Sequence, residues 1–339
     1  MRIAVYKDSL STGRGADRAV RNFAAGLSER GHDVVLMEKA AFTARILGAD
    51  GPAGESFDVL VATGSNEIVD LAAAGYFKRT HRAKVVLQLH LAPQGFFKWR
   101  HPLRNLRIRR AFDRADAVQV LCSSYVRVFR RLAPHPPVTV IGNYTDIPVP
   151  ALPPEGRPSQ PIILYPAAAF NRIKNQKLLI RAFSLLAAEF PEWKVRLLGK
   201  DTTPYAAACR ALIGRLGLSR RIEMVGFTHD LAGEYSRAAF VAFPSTLEGF
   251  PLALLEAARF SLAAVAQRGL PGVADIVTEA TGVVTAPTVA AYADGLRRLM
   301  SDPVRRAEMG ARARAGCETR YARAKILDQW ESLLESVVK

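Results

Sequence analysis

Two glutamates flank a short turn in the segment AAFVAFPSTLEGFPLALLEA, residues 238–257. The apolar run before the turn predicts a buried strand that ends near Phe243, and a helix is predicted to start at about Pro251. The first amides of such a helix lack partners within the helix and can bind anions or hydroxyl groups. Glu248 before the helix and Glu256 inside it could accept hydrogen bonds from sugar hydroxyls.

Glutamates eight residues apart are common on solvated surfaces, so the spacing alone does not indicate a functional site. The neighbouring residues must be considered as well. That context, PSTLEGFPLALLEA, resembles the Glu–x7–Glu signature of retaining GT-B glycosyltransferases of family 4, also called glycosyltransferase group 1. The resemblance implies that Glu256 binds the ribose hydroxyls of a nucleotide and that Glu248, in a catalytic role, contacts the donor sugar. It also implies that sugar hydroxyls and phosphate are held by the backbone of Gly249, Phe250, Pro251 and Leu252.

A lysine in the segment FNRIKNQKLLIRAF, residues 170–183, resembles the phosphate-binding turn of the same family. The resemblance implies that Lys174 contacts the donor diphosphate, where a compact ammonium neutralises charge building on the leaving group. The family usually has an arginine five residues before this lysine, but here position 169 is alanine. Arg172 is the nearby candidate for donor binding in its place, and the departure leaves open a catalytically weak or silent nucleotide-sugar-binding protein.

Further segments resemble the family in the same order along the chain. The segments VRLLGKD and RIEMVGFTHD match strand ends beneath the nucleotide, which implies that Gly226 and Phe227 lie near the base. The segment STGRGADRAV matches the glycine loop and first helix of the N-terminal half. The residues expected to face the acceptor or the cleft are Gly15, Ala16 and Asp17, and His90 is expected near the donor sugar in a catalytic role.

The glycine loop also suggests a second class of protein, a dinucleotide-dependent dehydrogenase. Gly13 and Gly15 form a G-x-G pair, and Glu38 at the end of the second predicted strand could bind a ribose. The third glycine of the fingerprint is replaced by Arg18, however, and a lone G-x-G turn is weak evidence. The sequence therefore favours the glycosyltransferase over the dehydrogenase.

Short apolar runs typical of buried strands alternate with helical patterns over most of the 339 residues. This pattern predicts an α/β fold with two Rossmann-like, doubly wound parallel sheets and a ligand cleft at the carboxyl ends of their strands. A proline-rich linker at residues 148–161 separates an N-terminal acceptor domain, residues 1–147, from a nucleotide-sugar domain, residues 162–319. The resemblance implies that a final helix, residues 320–338, packs back on the first domain.

The chain is strongly basic, with 47 Lys and Arg against 31 Asp and Glu and a formal net charge of +16. Cations interleave with aromatic residues in FFKWRHPLRNLRIRRAF, residues 96–112, which favours an anionic membrane surface. A solvated basic face remains the competing interpretation, and nucleic acid is not expected because no reading module is recognisable. The residues proposed for the membrane are Phe96, Phe97, Lys98, Trp99, Arg100, Arg104 and Arg107.

The remaining features bound the chemistry and the location. No D-x-D motif and no metal-ligand spacing occurs among the three cysteines, so neither a metal nor a cofactor is expected. The start of the chain lacks the apolar core of a signal peptide, which predicts a cytoplasmic protein. Together with the basic segment, this predicts peripheral docking on the inner face of the plasma membrane. The resemblance implies metal-independent transfer, with retained anomeric configuration, of a sugar from a nucleoside-diphosphate donor to a glycan or lipid-linked acceptor.

Overall fold

The computed structural model describes residues 1–10, 15–42, 56–64, 78, 83–90, 92, 102–132, 135–149 and 160–339. The chain divides into two compact units. The first unit combines Met1–Tyr144 with Tyr321–Lys339, and the second is Thr145–Arg320. Most of the predicted linker, residues 150–159, lies outside the described residues.

The first unit contains a parallel sheet of six strands in the order β2-β1-β3-β4-β5-β6. Its strands are β1 (Arg2–Lys7), β2 (Asp33–Glu38), β3 (Val59–Gly64), β4 (Lys84–Leu89), β5 (Ala117–Val120) and β6 (Val138–Val140). Its helices within the first 144 residues, as far as they are described, are α1 (Gly15–Glu29), α2 (Pro102–Asp113) and α3 (Ser123–Leu132).

The second unit repeats this architecture in the order β12-β11-β10-β7-β8-β9. Its strands are β7 (Ile162–Ala169), β8 (Lys194–Lys200), β9 (Ile222–Gly226), β10 (Phe240–Phe243), β11 (Ala264–Gln267) and β12 (Gly282–Thr285). Its helices are α4 (Gln176–Ser184), α5 (Pro204–Arg215), α6 (Leu231–Arg237), α7 (Leu252–Arg259), α8 (Pro271–Ala274), α9 (Val289–Ser301) and α10 (Pro303–Arg320). The strand order reverses between β7 and β10, the point at which ligands bind in sheets of this kind.

The first sheet is covered by apolar residues on both faces, which explains the continuous hydrophobic runs in its strands. One cluster includes Phe112 of α2 and Phe129 of α3, with ring centroids 5.8 Å apart. The opposite cluster joins Phe23 of α1 to Trp330 of the last helix, α11 (Arg323–Val338), at 4.4 Å. The end of the chain therefore completes the core of the first unit, and the predicted α/β fold class is confirmed.

Among the described residues of the second unit, one position outside the strand-end loops has a strained backbone. Ser261 follows α7 with a φ of +53°, in the left-handed region that favours glycine. A Cβ atom on Gly310 of α10 would lie 1.9 Å from the carbonyl oxygen of Ser261. Gly310 therefore allows α10 to approach the turn closely.

Candidate functional site

Two strand-end loops of the second unit meet where the strand order reverses. The loop after β7 carries Lys174, and the loop after β10 carries Glu248. The Lys174 Nζ atom lies 2.6 Å from Glu248 Oε1, and the two side chains are 24% and 10% exposed. The same ammonium lies 5.8 Å from the centroid of the Phe243 ring at the end of β10. Lys174 and Glu248, the residues of this unit to which the sequence assigns catalytic roles, are thus in direct contact.

Buried polar groups hold the lysine loop in place from below. The Tyr165 hydroxyl donates to the carbonyl of Lys174 at 2.8 Å and lies 3.0 Å from the Ser245 hydroxyl. The Thr246 amide donates to the carbonyl of Ile173 at 2.8 Å, which joins the two loops directly. Burial raises the pKa of Tyr165 well above its ordinary value, so this hydroxyl keeps its proton and remains a donor. The sequence analysis missed Tyr165 and Ser245.

The turn between the two glutamates differs in one detail from the prediction. Pro251 is not the first helical residue, because its backbone stays extended with φ −78° and ψ 106° and the helix begins at Leu252. Phe250 and Leu252 are 6% and 4% exposed, so apolar packing fixes the turn on both sides of the proline. A Cβ atom on Gly272 of α8 would lie 1.9 Å from the carbonyl oxygen of Gly249, so α8 can approach this turn only with glycine there.

Glu256 is buried in α7, with 1% of its surface exposed. Its Oε2 atom accepts a hydrogen bond of 2.9 Å from the hydroxyl of Tyr235, which also reaches the carbonyl of Ala253 at 3.1 Å. The Tyr235 ring is itself buried and stacks on Phe260 at 5.3 Å. Tyr235 therefore orients the second glutamate of the motif, and no local pattern in the sequence points to it because the contact spans 21 residues.

The predicted base-contacting residues lie at the end of β9. Gly226 has a φ of +81°, which turns the chain sharply as the strand ends. Phe227 directly after it is 58% exposed, and its ring contacts that of His229 edge-on at 4.9 Å. An exposed aromatic ring at a strand end offers a flat surface on which a planar group could stack.

Arg172 lies away from the contact between Lys174 and Glu248. It lines a cavity of about 600 Å³ together with Lys177, Arg181 and Tyr205, and that lining includes neither Lys174 nor Glu248. The expectation that Arg172 takes the place of the arginine missing at position 169 finds no support in this arrangement. The reason is local: Lys174 turns toward β10, while the side chain two residues earlier faces α4 and α5.

Three polar residues cluster in the first unit, at the ends of β1 and β4 and the start of α1. Lys7, the last residue of β1, places its Nζ 2.5 Å from Asp8 Oδ1 and 3.5 Å from Asp17 Oδ1. Asp17 is 2% exposed and His90 is 9% exposed. Gly15 and Ala16 are half-buried in the first turn of α1. The sequence analysis named Asp17 and His90 but missed Lys7.

His90 in this cluster is held neutral. Burial lowers its pKa to about 3, and the positive charge of Lys7 adds to the shift while Asp17 opposes it. Its Nε2 atom is buried and has no hydrogen-bond partner among the described residues. In a neutral imidazole one ring nitrogen donates a hydrogen bond and the other accepts one, so either can bind a hydroxyl group. Such a ring does not act as a cation at neutral pH.

The structure does not favour the dehydrogenase alternative, because the glutamate expected to bind a ribose has another partner. Glu38, at the end of β2, accepts a hydrogen bond of 2.6 Å from the backbone amide of Leu10. The carboxylate is therefore engaged in holding the segment after β1. Gly13 lies outside the described residues.

The proposed membrane residues are largely beyond what the structure describes. Phe96, Phe97, Lys98, Trp99 and Arg100 lie outside the described residues, and only the backbone of Arg104 and Arg107 is described. Nearby on α2 and α3, Leu103, Leu106 and Val128 are 76%, 43% and 39% exposed among exposed arginines. Within the described ranges, no helix has the length and apolar character needed to cross a membrane, and no group of three potential metal ligands occurs.

Comparison with known proteins places these features in a class. Residues 153–316 match the family model described as "Glycosyl transferases group 1". This segment includes the Lys174–Glu248 contact and Glu256. The second unit therefore carries a glycosyl transferases group 1 domain.

Among characterised relatives, an exopolysaccharide phosphotransferase of Streptomyces coelicolor is 34% identical over 162 residues. That alignment covers 47% of this chain and 17% of the relative. The matched segments make up less than half the length of the curated relatives.

Among solved structures, the sucrose-phosphate synthase of Thermosynechococcus elongatus has a TM-score of 0.81 at 17% identity, and the alignment covers 99% of both chains. Anabaena Alr3699/HepE in complex with UDP also has a TM-score of 0.81, at 18% identity, over 99% of this chain and 100% of that one. These similarities establish a GT-B-like fold for the whole chain.

Proposed function

We propose that the protein is a glycosyltransferase that moves a sugar from a nucleoside-diphosphate donor to a hydroxyl group of a glycan or lipid-linked acceptor. The contact that carries this proposal is that of Lys174 with Glu248, 2.6 Å long and partly exposed, at the strand-order reversal of a glycosyl transferases group 1 domain. An ammonium in that position can exchange its carboxylate partner for an incoming diphosphate. Glu248 is then released to accept hydrogen bonds from the donor sugar.

The donor is held by groups on three strand ends in this proposal. Glu256, oriented by Tyr235, binds the ribose hydroxyls, and the exposed ring of Phe227 stacks on the base. Lys174 neutralises the charge that develops on the departing diphosphate. Because an ammonium and backbone amides supply this stabilisation, the proposed reaction needs no metal ion.

The proposed chemistry retains the anomeric configuration. The bond from the anomeric carbon to the β-phosphate oxygen breaks while the acceptor oxygen bonds to the same carbon on the same face. The acceptor proton passes to the departing phosphate, so the nucleoside diphosphate leaves with it. His90, held neutral, hydrogen-bonds a sugar hydroxyl in this scheme, and the Asp17 region serves the acceptor. A proton NMR spectrum of the product would show an inverted anomeric coupling if this stereochemistry were wrong.

A membrane-linked acceptor accords with the exposed leucines and arginines of α2 and α3. Apolar and cationic side chains together suit the headgroup region of an anionic bilayer. In this proposal the protein docks peripherally, on the inner face of the plasma membrane. Equal recovery with neutral and anionic vesicles in a flotation assay would argue against docking.

The donor assignment is tested with a thermal-shift panel of UDP, GDP, ADP and their sugars. A true donor at 100 times its Kd should stabilise the protein by about 2.7 kcal/mol. Glu256→Gln should abolish that shift, and Lys174→Ala should lower kcat about 10²–10³-fold. Arg297→Ala, which removes an exposed ion pair with Glu189, is the control and should change neither.

The alternative function is a nucleotide-sugar-binding protein that is weakly active or silent. Ala169, where the related family has a phosphate-binding arginine, favours this alternative. A donor that stabilises the protein but is neither hydrolysed nor transferred would select it. No stabilisation by any member of the panel, with the native fold intact, would reject both functions.

A further inference from the structure

A second group of cations lies in the second unit, apart from the Lys174–Glu248 contact. It surrounds the cavity of about 600 Å³ between the first turns of α4 and α5. The lining carries three positive charges, from Arg172, Lys177 and Arg181, and no carboxylate. The remaining lining residues are Asn175, Pro204, Tyr205 and Ala208.

The three cations are gathered around one tyrosine. The Lys177 ammonium lies 5.0 Å from the centroid of the Tyr205 ring, and the Tyr205 hydroxyl lies 3.4 Å from the Lys177 backbone nitrogen. Arg172 and Arg181 line the same cavity as Tyr205, and their charges oppose the rise in the pKa of its hydroxyl that burial causes. Several arginines elsewhere in this unit, such as Arg196 and Arg297, form ion pairs with carboxylates, whereas no carboxylate lines this cavity beside its three cations.

The backbone beneath the cavity is fixed rather than adaptable. Asn171 accepts a hydrogen bond of 2.9 Å from the Lys174 amide through its side chain, and one of 3.1 Å from the Asn175 amide through its carbonyl. Asn175 has a φ of +51°, in the left-handed region, at the start of α4. This turn sends Lys174 toward Glu248 and leaves Arg172 at the cavity, so the two cations serve different places.

We propose that this cavity is a binding site for a phosphate group other than the diphosphate of the donor. Two guanidinium groups and one ammonium match the charge and the several acceptor oxygens of a phosphate monoester, and guanidinium groups can bind it in bidentate fashion. The N-terminal ends of α4 and α5 lie at this cavity, and their helix dipoles have the sign that favours an anion. The site is separate from the one proposed for transfer, because its lining includes neither Lys174 nor Glu248.

The test measures the binding of inorganic phosphate to the full chain, by phosphorus NMR or by calorimetry. The variant Lys177→Gln/Arg181→Gln should weaken phosphate binding about tenfold or more, because two of the three cations are lost. Arg210→Gln removes an exposed arginine of α5 that pairs with Asp201, and it should leave binding unchanged. Lys174→Ala should also leave this binding unchanged while it lowers kcat for sugar transfer.

The opposite pattern would overturn the proposal. If phosphate binding is lost in Lys174→Ala but kept in Lys177→Gln/Arg181→Gln, the anion occupies the donor site and the cavity is no site. Binding that falls equally in the Arg210→Gln control would show an unspecific charge effect and would overturn it as well. The proposed transferase function is tested separately, by the donor panel and by the variants of Lys174 and Glu256. Its failure therefore remains distinguishable from either result.

A second experiment distinguishes the two possible sources of such a phosphate group, a lipid headgroup and a soluble phosphorylated compound. Phosphatidylcholine vesicles with and without phosphatidic acid are sedimented with the native protein and with Lys177→Gln/Arg181→Gln. Retention that depends on both phosphatidic acid and the two cations assigns the site to a lipid headgroup. Phosphate binding without such retention assigns it to a soluble phosphorylated compound. If neither binding nor retention responds to the double substitution, the proposal is wrong.

Discussion

Each unit of the protein contains a lysine–carboxylate contact at the ends of its parallel strands, but the two contacts differ in their access to water. In the second unit, the side chains of Lys174 and Glu248 are 24% and 10% exposed. In the first unit, those of Lys7 and Asp17 are 10% and 3% exposed. In a contact open to solvent, one partner can be exchanged for a ligand at a small cost in free energy. In a buried contact, removal of one partner leaves the other charge unpaired and away from water, which costs several kcal/mol.

Because of this difference, Lys174 and Lys7 have different roles. Lys174 lies above a framework of buried hydroxyls that fixes its backbone, so its ammonium is positioned without being enclosed. Lys7 is enclosed, and its charge acts on the neighbouring imidazole of His90. The second unit therefore leaves a cation accessible to the donor that we propose, while in the first unit burial, reinforced by the charge of Lys7, lowers the pKa of His90 and keeps it neutral.

The strongest test of the comparison removes the same charge from both units. Lys7→Met should reduce the free energy of unfolding by about 3 kcal/mol, because a buried carboxylate loses its nearby cation. Lys174→Met should cost only about 1 kcal/mol but should remove most of the transferase activity. Urea denaturation followed by circular dichroism measures the first quantity, and donor turnover measures the second. Equal losses of stability would break the comparison.

The next test concerns the protonation of His90. Its pKa in the folded protein is about 3, against 6.5 for the unperturbed group. The unfolded chain therefore takes up a proton as the pH falls below 6.5 while the folded chain does not, and folding is destabilised from there down to about pH 3. At pH 5 the loss should reach about 2 kcal/mol relative to pH 7.

Variants of two histidines isolate this contribution. His90→Gln should remove the loss of stability between pH 7 and pH 5, and the exposed His135, substituted in the same way, should leave it in place. In the native protein, the ring proton resonances of His90 should not titrate between pH 5 and pH 8. A titration midpoint near 6.5 for His90 would show that the cluster in the first unit is open to water after all.

The sequence predicted the parts of this molecule that are local. The strand ending at Phe243 and the α/β fold class are confirmed, because periodicity and turn composition act over a few residues. The helix start was displaced by one residue, since Pro251 keeps an extended backbone. These features come from steric rules that a short segment obeys by itself.

The supporting residues could not be predicted in this way. Tyr165 reaches Ser245 across 80 residues, and Tyr235 reaches Glu256 across 21, so only the folded sheet brings them together. Lys7 resembled an ordinary polar residue after an apolar strand, because nothing near it in sequence shows that β4 will bring His90 alongside. The direction of Arg172 depends on the left-handed conformation of Asn175, which asparagine permits but does not require.

The smallest predicted effect lies in the second unit, away from its loops. Ser261 adopts φ +53°, so Ser261→Gly relieves a strained backbone, although glycine also raises the entropy of the unfolded chain. We expect a net gain of about 0.5 kcal/mol, seen as a rise in Tm of roughly 1–2 °C. Gly310→Ala, whose Cβ would lie 1.9 Å from the carbonyl of Ser261, should instead lower Tm by several degrees. Because this turn is separate from the Lys174–Glu248 contact, the donor-induced thermal shift should be the same in Ser261→Gly as in the native protein. A changed donor shift would mean that the turn at Ser261 contributes to donor binding.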